Sequence, residues 1–180
     1  MTRRCSPTPT TSIPGWRSIG RPRRLDTVPW ESTTRGGHLR KRPKMHTTPE
    51  VLLRQALHRL GVRFRLHRKL APGCTPDIVL PSRRLAIFVD GDFWHSCPVH
   101  GRKTPFSGPN ALLWEEKMSR NRARDRRSTE LAVTAGWRVV RVWECVIMRD
   151  PPHAARSVIA GCAPEPEPTT KRKALPEEVC

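Results

Sequence analysis

Apolar and polar positions follow two different periods along residues 46–160. Val51, Leu53, Ala56, Leu57 and Leu60 recur at helical spacing. They follow Thr47-Thr48-Pro49-Glu50, a capping-box pattern with an early proline, and stop at Gly61, which together predict a helix. Val62-Arg63-Phe64-Arg65-Leu66 then alternates with period two, as a half-buried strand does. Pro72-Gly73 marks a turn, and Asp77-Ile78-Val79-Leu80 a short strand. Leu85-Ala86-Ile87-Phe88-Val89 is a continuous apolar run, the pattern of a central strand covered on both faces. Asn110 to Ala135 reads as one long charged helix or two, closed by Gly136. Trp137 to Trp143 reads as another strand, and a final short helix covers 151–160. The order α-β-β-β-α-β-α predicts an α/β class with a small mixed sheet flanked by helices.

Charge adds a partner to this picture. The 180 residues carry 34 Lys and Arg against 16 Asp and Glu, a formal net charge of +18. Such an excess points to a polyanion rather than a neutral metabolite. The excess is divided: residues 1–49 hold 11 basic against 2 acidic groups, and residues 50–150 hold 19 against 10. Residues 1–45 are rich in Pro, Arg, Ser, Thr and Gly and lack periodicity. They read as a disordered basic arm, or as a stretch upstream of a start at Met45. The patterned unit spans 46–160, and 161–180, with its Pro-Glu-Pro-Glu-Pro run, reads as a disordered tail. No run reaches the ~18 apolar residues of a membrane helix, so a soluble protein is expected. The six cysteines are scattered at 5, 74, 97, 145, 162 and 180, which suits reduced thiols or metal ligands better than a disulfide framework.

Candidate chemistry gathers in two places. Asp77 heads one strand and the next strand ends at Val89-Asp90, so a carboxylate and a strand terminus stand side by side. Hard cations at phosphates use such oxygen ligands, although Pro76-Asp77 also suits a plain turn. Cys97 and His100 have C-x-x-H spacing, with Asp92 and Cys145 as further ligands of a tetrahedral zinc. A free buried cysteine and a surface histidine fit the same residues. His95 can serve as a general base near neutral pH, or cap a loop. Phe93-Trp94 can anchor its loop or wedge between base pairs. Arg120, Arg122 and Arg124, with Arg126 and Arg127, crowd one helix and suit phosphate contacts, or form a solvated face. Asp125 can orient a histidine or pair with a neighbouring arginine.

Several of these blocks occur together in a known order. They are Pro72-Gly73-x-x-Pro76-Asp77, Ile87-Phe88-Val89-Asp90-Gly91-Asp92-Phe93-Trp94-His95, Trp114-x-x-Lys117-x-x-x-Asn121-x-x-Arg124-Asp125, Gly136-Trp137-Arg138-Val139 and Val142-Trp143-Glu144-Cys145. Across residues 44–148 the chain resembles the very short patch repair (Vsr) mismatch endonucleases. The resemblance implies a restriction-endonuclease-like core of the PD-(D/E)xK type with a structural zinc. It implies magnesium-dependent nicking of one strand 5′ to the T of a T:G mismatch left by 5-methylcytosine deamination. By matching position, Asp77 and the backbone carbonyl of Val89 would hold magnesium, His95 would be the general base, and Asp125 would support it. Glu50 would join the site from the first helix. Phe93, Trp94 and Trp114 would form the wedge, and Cys145 would be a zinc ligand. The resemblance further implies a monomer on double-stranded DNA, in the bacterial cytoplasm at the nucleoid, with mismatch-repair proteins as further partners. Beside an extra residue in Gly73-Cys74-Thr75-Pro76 and a poorly matched segment before Thr47, this chain departs from the pattern at three points of chemistry. Asp92 stands where the family commonly has Cys, which gives a zinc set of Asp92, Cys97, His100 and Cys145 with fewer thiolates. Asp90 stands where the prototype has His. The Lys of the general nuclease pattern is absent, as expected if His95 takes its role. The competing readings are a zinc-bearing DNA-binding protein without catalysis and a nickase of broader mismatch range.

Overall fold

A computed structural model of the chain describes residues 29–31 and 45–167. The other residues expected in the basic arm and in the C-terminal tail lie outside the described residues. The order is α1 (Thr48–Arg59), β1 (Arg65–Leu66), β2 (Ile78–Leu80), a 3-10 turn at Pro81–Arg83 and β3 (Leu85–Asp90). It continues with α2 (Ala111–Thr134), β4 (Arg138–Trp143), α3 (Glu144–Arg149) and α4 (Pro151–Ile159). The four strands form one sheet in the order β1-β2-β3-β4. β1, β2 and β3 pair antiparallel, and β3 pairs parallel with β4. The parallel pair needs a crossover, and α2 supplies it. This is the expected α/β arrangement of a small mixed sheet flanked by helices.

Two expectations change in detail. The strand read over 62–66 shrinks to Arg65–Leu66, because Val62 and Phe64 pack against the core before pairing begins. α3 starts immediately after β4 and buries Val146 and Ile147. It escaped the pattern because Val142-Trp143-Glu144-Cys145-Val146-Ile147 is nearly continuous in apolar residues and shows neither period cleanly.

Alternation along the buried strands divides the interior. Leu85 and Ile87 of β3, with Val140 and Val142 of β4, join Leu53 and Leu57 of α1, Ile147 of α3 and Val158 of α4 in the main core. Ala86 and Phe88 point the other way and meet Cys74, Ala132 and the flank of Trp137 under α2. α2 turns Leu113, Met118, Ser128 and Ala132 inward. Asp125 lies on the same row, half-buried, while Arg120, Arg122, Arg124, Arg126 and Arg127 are exposed. Near the N-terminus, the Glu31 amide donates to Asn110 Oδ1 at 2.9 Å, and Asn110 Nδ2 donates to the Glu31 carbonyl at 2.9 Å. Within the span read as a disordered arm, the described residues Trp30 and Glu31 therefore dock at the start of α2.

Candidate active site and metal centre

The chemistry-bearing side chains collect at the end of β3. Asp77 precedes β2, and its Oδ2 accepts from the Val89 amide at 2.8 Å. This bond ties the strand-head carboxylate to the last turn of the neighbouring strand. Burial raises the Asp77 pKa to about 6; the Val89 bond opposes the rise, and the charges of Glu50 and Asp90 add to it. Three carboxylates thus share one neighbourhood, and a cation placed among them would relieve their repulsion. Asp77, with Glu50 and Asp90 beside it, fits a divalent ion on this ground.

Glu50 is buried and comes from the first turn of α1. Its Oε2 accepts from the His46 amide at 3.0 Å and its Oε1 from the Thr47 hydroxyl at 2.8 Å. The capping box of the sequence therefore forms in altered guise. Glu50 reaches one residue further back than the pattern implies, and Thr47 spends its hydroxyl on Glu50 rather than on the helix. His46, Glu50 and His67 bring ligand atoms within 4.8 Å of one another. Neither histidine carried a sequence signal.

His95 sits in the loop after β3. Its amide donates to the Gly91 carbonyl at 3.0 Å, which folds the ring back over the strand end. His95 Nδ1 lies 2.6 Å from Asp125 Oδ2 and 3.6 Å from Asp90 Oδ1. Burial works to raise the Asp125 pKa, but the His95 bond and the charges of His95, Arg141 and Arg124 outweigh it, and the net direction is down. An ionised Asp125 only accepts, so it selects the Nδ1–H tautomer and leaves Nε2 free to take a proton. Asp90 is buried, and Arg141 from β4 grips it with a fork: Nε to Oδ2 at 2.6 Å and Nη2 to Oδ1 at 2.5 Å. Arg141 was not anticipated. Its only trace in the sequence is a second charged residue, after Arg138, inside an otherwise apolar strand.

A second group lies beyond His95. Asp92, Cys97, His100 and Cys145 offer ligand atoms that all fall within 4.8 Å of one another. Cys97 Sγ lies 3.9 Å from Cys145 Sγ and 3.9 Å from His100 Nδ1, and His100 Nδ1 lies 3.9 Å from Asp92 Oδ2. These spacings are close to the edges of a zinc tetrahedron with ~2.0–2.3 Å bonds. Asp92 Oδ1 is buried with no hydrogen-bond partner, and burial, then Asp92 and Cys97, push the Cys145 thiol up to about 12. A bound zinc would satisfy the orphaned oxygen and reverse the thiol's protonation, so the donor set fits the ion. Gly101 is part of the same turn. A Cβ there would stand 2.4 Å from the Cys97 carbonyl oxygen.

The aromatic residues cluster on the outer side of this loop. Phe93 and Trp94 ring centroids lie 5.8 and 6.0 Å from that of Trp114, and Phe106 stacks on Trp114 at 5.6 Å. Trp30 meets Trp114 edge-on at 5.1 Å. The Lys117 ammonium stands 5.5, 5.0 and 5.1 Å from the rings of Trp30, Trp94 and Trp114. Trp30 and Phe106 were missed because each is an isolated aromatic in an irregular segment. Arg120 pairs with Glu116, one turn back on α2. Arg122 Nη1 is 3.5 Å from the Ser96 hydroxyl, which links the basic helix to the His95 loop.

The carboxylates, imidazole and candidate zinc ligands gathered here can be compared with known proteins. The family model described as DNA mismatch endonuclease Vsr matches residues 29–100. Type II nicking enzyme V.XorIIP of Xanthomonas oryzae pv. oryzae is 50% identical over 101 residues, covering 56% of this chain and 71% of its own. DNA mismatch endonuclease Vsr of Escherichia coli (strain K12) is 34% identical over 117 residues, covering 65% and 73%. The chain belongs to the Vsr family. Type II nicking enzyme V.NaeI of Lentzea aerocolonigenes is 44% identical over 108 residues, covering 58% of this Vsr-family chain and 63% of its own.

Proposed function

We propose that this Vsr-family chain nicks one strand of double-stranded DNA 5′ to the T of a T:G mismatch, by magnesium-dependent hydrolysis. The observation that carries the reading is the convergence of Asp77, Asp90, Asp125 and His95 at one end of the sheet. Magnesium held by Asp77 and the Val89 carbonyl would supply positive charge to the scissile phosphate. His95 Nε2 takes the proton of the attacking water, and Asp125 stabilises the imidazolium so formed. Attack in line expels the 3′ oxygen and leaves 3′-hydroxyl and 5′-phosphate ends. Glu50 presents its carboxylate from α1, anchored by His46 and Thr47. Phe93, Trp94 and Trp114 open the stack beside the mismatch, and Arg120, Arg122 and Arg124 hold phosphates. Structural zinc on Asp92, Cys97, His100 and Cys145 would fix the loop that carries both wedge and base.

Among the described residues no helix is long and apolar enough to cross a membrane, in keeping with a DNA-acting enzyme. The test is a nicking assay on T:G heteroduplexes with magnesium, the wild type against Asp77→Ala. The proposal expects nicks from the wild type alone, with equal DNA binding by both. Binding without nicking in both would leave a zinc-bearing DNA-binding protein. Equal nicking of other mismatches would establish the broader nickase.

A further inference from the structure

The fork between Arg141 and Asp90 is more than a neutralised pair. Arg141 stands on β4, Asp90 ends β3, and the same guanidinium reaches α2. Its Nη1 lies 3.4 Å from the Asp125 carbonyl and 3.4 Å from the Thr129 hydroxyl, and its Nη2 lies 3.5 Å from Asp125 Oδ1. The guanidinium also lies over the Phe88 ring at 4.9 Å. Arginine's donors are fixed in a plane, so two bonds to Asp90 set the direction of the rest. Asp125 is thereby held on one oxygen by Arg141 and on the other by His95. The ring in turn faces a second carboxylate, Asp90, at 3.6 Å. Without Arg141, Asp90 would be a buried anion beside His95, free to compete with Asp125 for the Nδ1 proton.

We infer that Arg141 is a positioning residue of the nicking reaction: clamped by Asp90, it orients Asp125 and so fixes the ring and tautomer of His95. Asp90 is then one half of a unit whose other half is Arg141. The inference rests on the proposed nuclease reading, in which His95 is the base.

The test uses full-length Arg141→Met and the double variant Asp90→Asn/Arg141→Met. The single variant strands a buried carboxylate, and its Tm should fall by ~10 °C. The double variant removes that charge and should recover most of the Tm. Turnover should stay ~10- to 100-fold down in both, the usual cost of losing a partner behind a catalytic histidine, with KM for the T:G duplex within ~2-fold. Recovery of turnover together with Tm would overturn the inference, because the pair would then be only a buried ion pair. A KM that rises in step with the loss would also overturn it, because Arg141 would then contact DNA. A second readout is independent of nicking: the 15N-histidine spectrum, with His95 assigned by His95→Gln. The wild type should show His95 as the Nδ1–H tautomer with a downfield proton, and the double variant should lose that signal. If the wild type fails to nick, the nuclease reading falls, and the spectrum alone decides the positioning: signal lost upholds it, signal kept overturns it.

Discussion

The two faces of the central sheet are built from alternate residues of the same strands, and they are unlike. Under α1, α3 and α4 the strands present Leu85, Ile87, Val140 and Val142 to a core of aliphatic side chains. Under α2 the same strands present Ala86, Phe88, Asp90 and Arg141, and the helix answers with Asp125 and Ser128. The first face removes apolar area from water. The second buries a bidentate ion pair and a histidine–carboxylate contact, which stabilise little once desolvation is counted. A small domain can carry such a polar face because the aliphatic face supplies most of the folding energy. A strand of period two therefore serves stability on one side and chemistry on the other.

Substitutions on the two faces should separate along that line. The largest effect belongs to Asp77→Asn: nicking should fall by ~10³-fold or more, since magnesium stabilises the transition state by several kcal/mol. Stability should move the other way. In the folded state Asp77 holds its proton up to about 6, above its ordinary 3.8. As pH rises the unfolded chain releases that proton first, so metal-free stability declines from about pH 4 to about pH 6 and is level beyond. Asn removes the decline and should gain about 1–3 kcal/mol at neutral pH by urea unfolding. A metal-free unfolding free energy indifferent to pH between about 4 and 6 would contradict it.

Leu53→Ala, on the aliphatic face, should show the inverse profile. It deletes a fully buried side chain, which costs about 2–5 kcal/mol. Turnover per folded molecule should be unchanged. A selective loss of turnover would erase the contrast between the faces.

Cys145→Ser tests the loop between them. Metal analysis should find one zinc per wild-type chain and a sharply reduced content in the variant. Its Tm should drop toward that of chelator-treated wild type, since binding free energy is folding free energy at such a site. Equal zinc in both would exclude Cys145 as a ligand. The smallest effect is expected from Arg124→Ala on the exposed side of α2. DNA affinity should weaken alike for matched and mismatched duplexes, and the slope of log K against log salt should shrink by about 1. A loss confined to T:G duplexes would assign Arg124 to base readout.

How much of this was written in the chain can be judged residue by residue. The positions of α1, β3, α2 and β4 followed from periodicity, because one buried face imposes 3.6 or 2 on the side chains that reach it. The C-x-x-H spacing at Cys97 and His100 was legible because a turn brings those two together locally. Asp77, His95 and Asp125 were legible as chemistry-bearing types in a known order. Arg141 was not, since its partner Asp90 is 51 positions away and nothing local sets it apart from Arg138 in the same strand.

The sequence alone determined most of the elements, the basic surface of α2 and the family, because these depend on local pattern and on motifs in order. Tertiary structure decided which charges meet. The pairing of Phe88 with Arg141 and of Asp90 with Trp143 in parallel register aligns the ends of β3 and β4. The inward row of α2 then brings Asp125 to His95 and Arg141. Contacts between groups dozens of residues apart are set by how elements pack, and no local period records them.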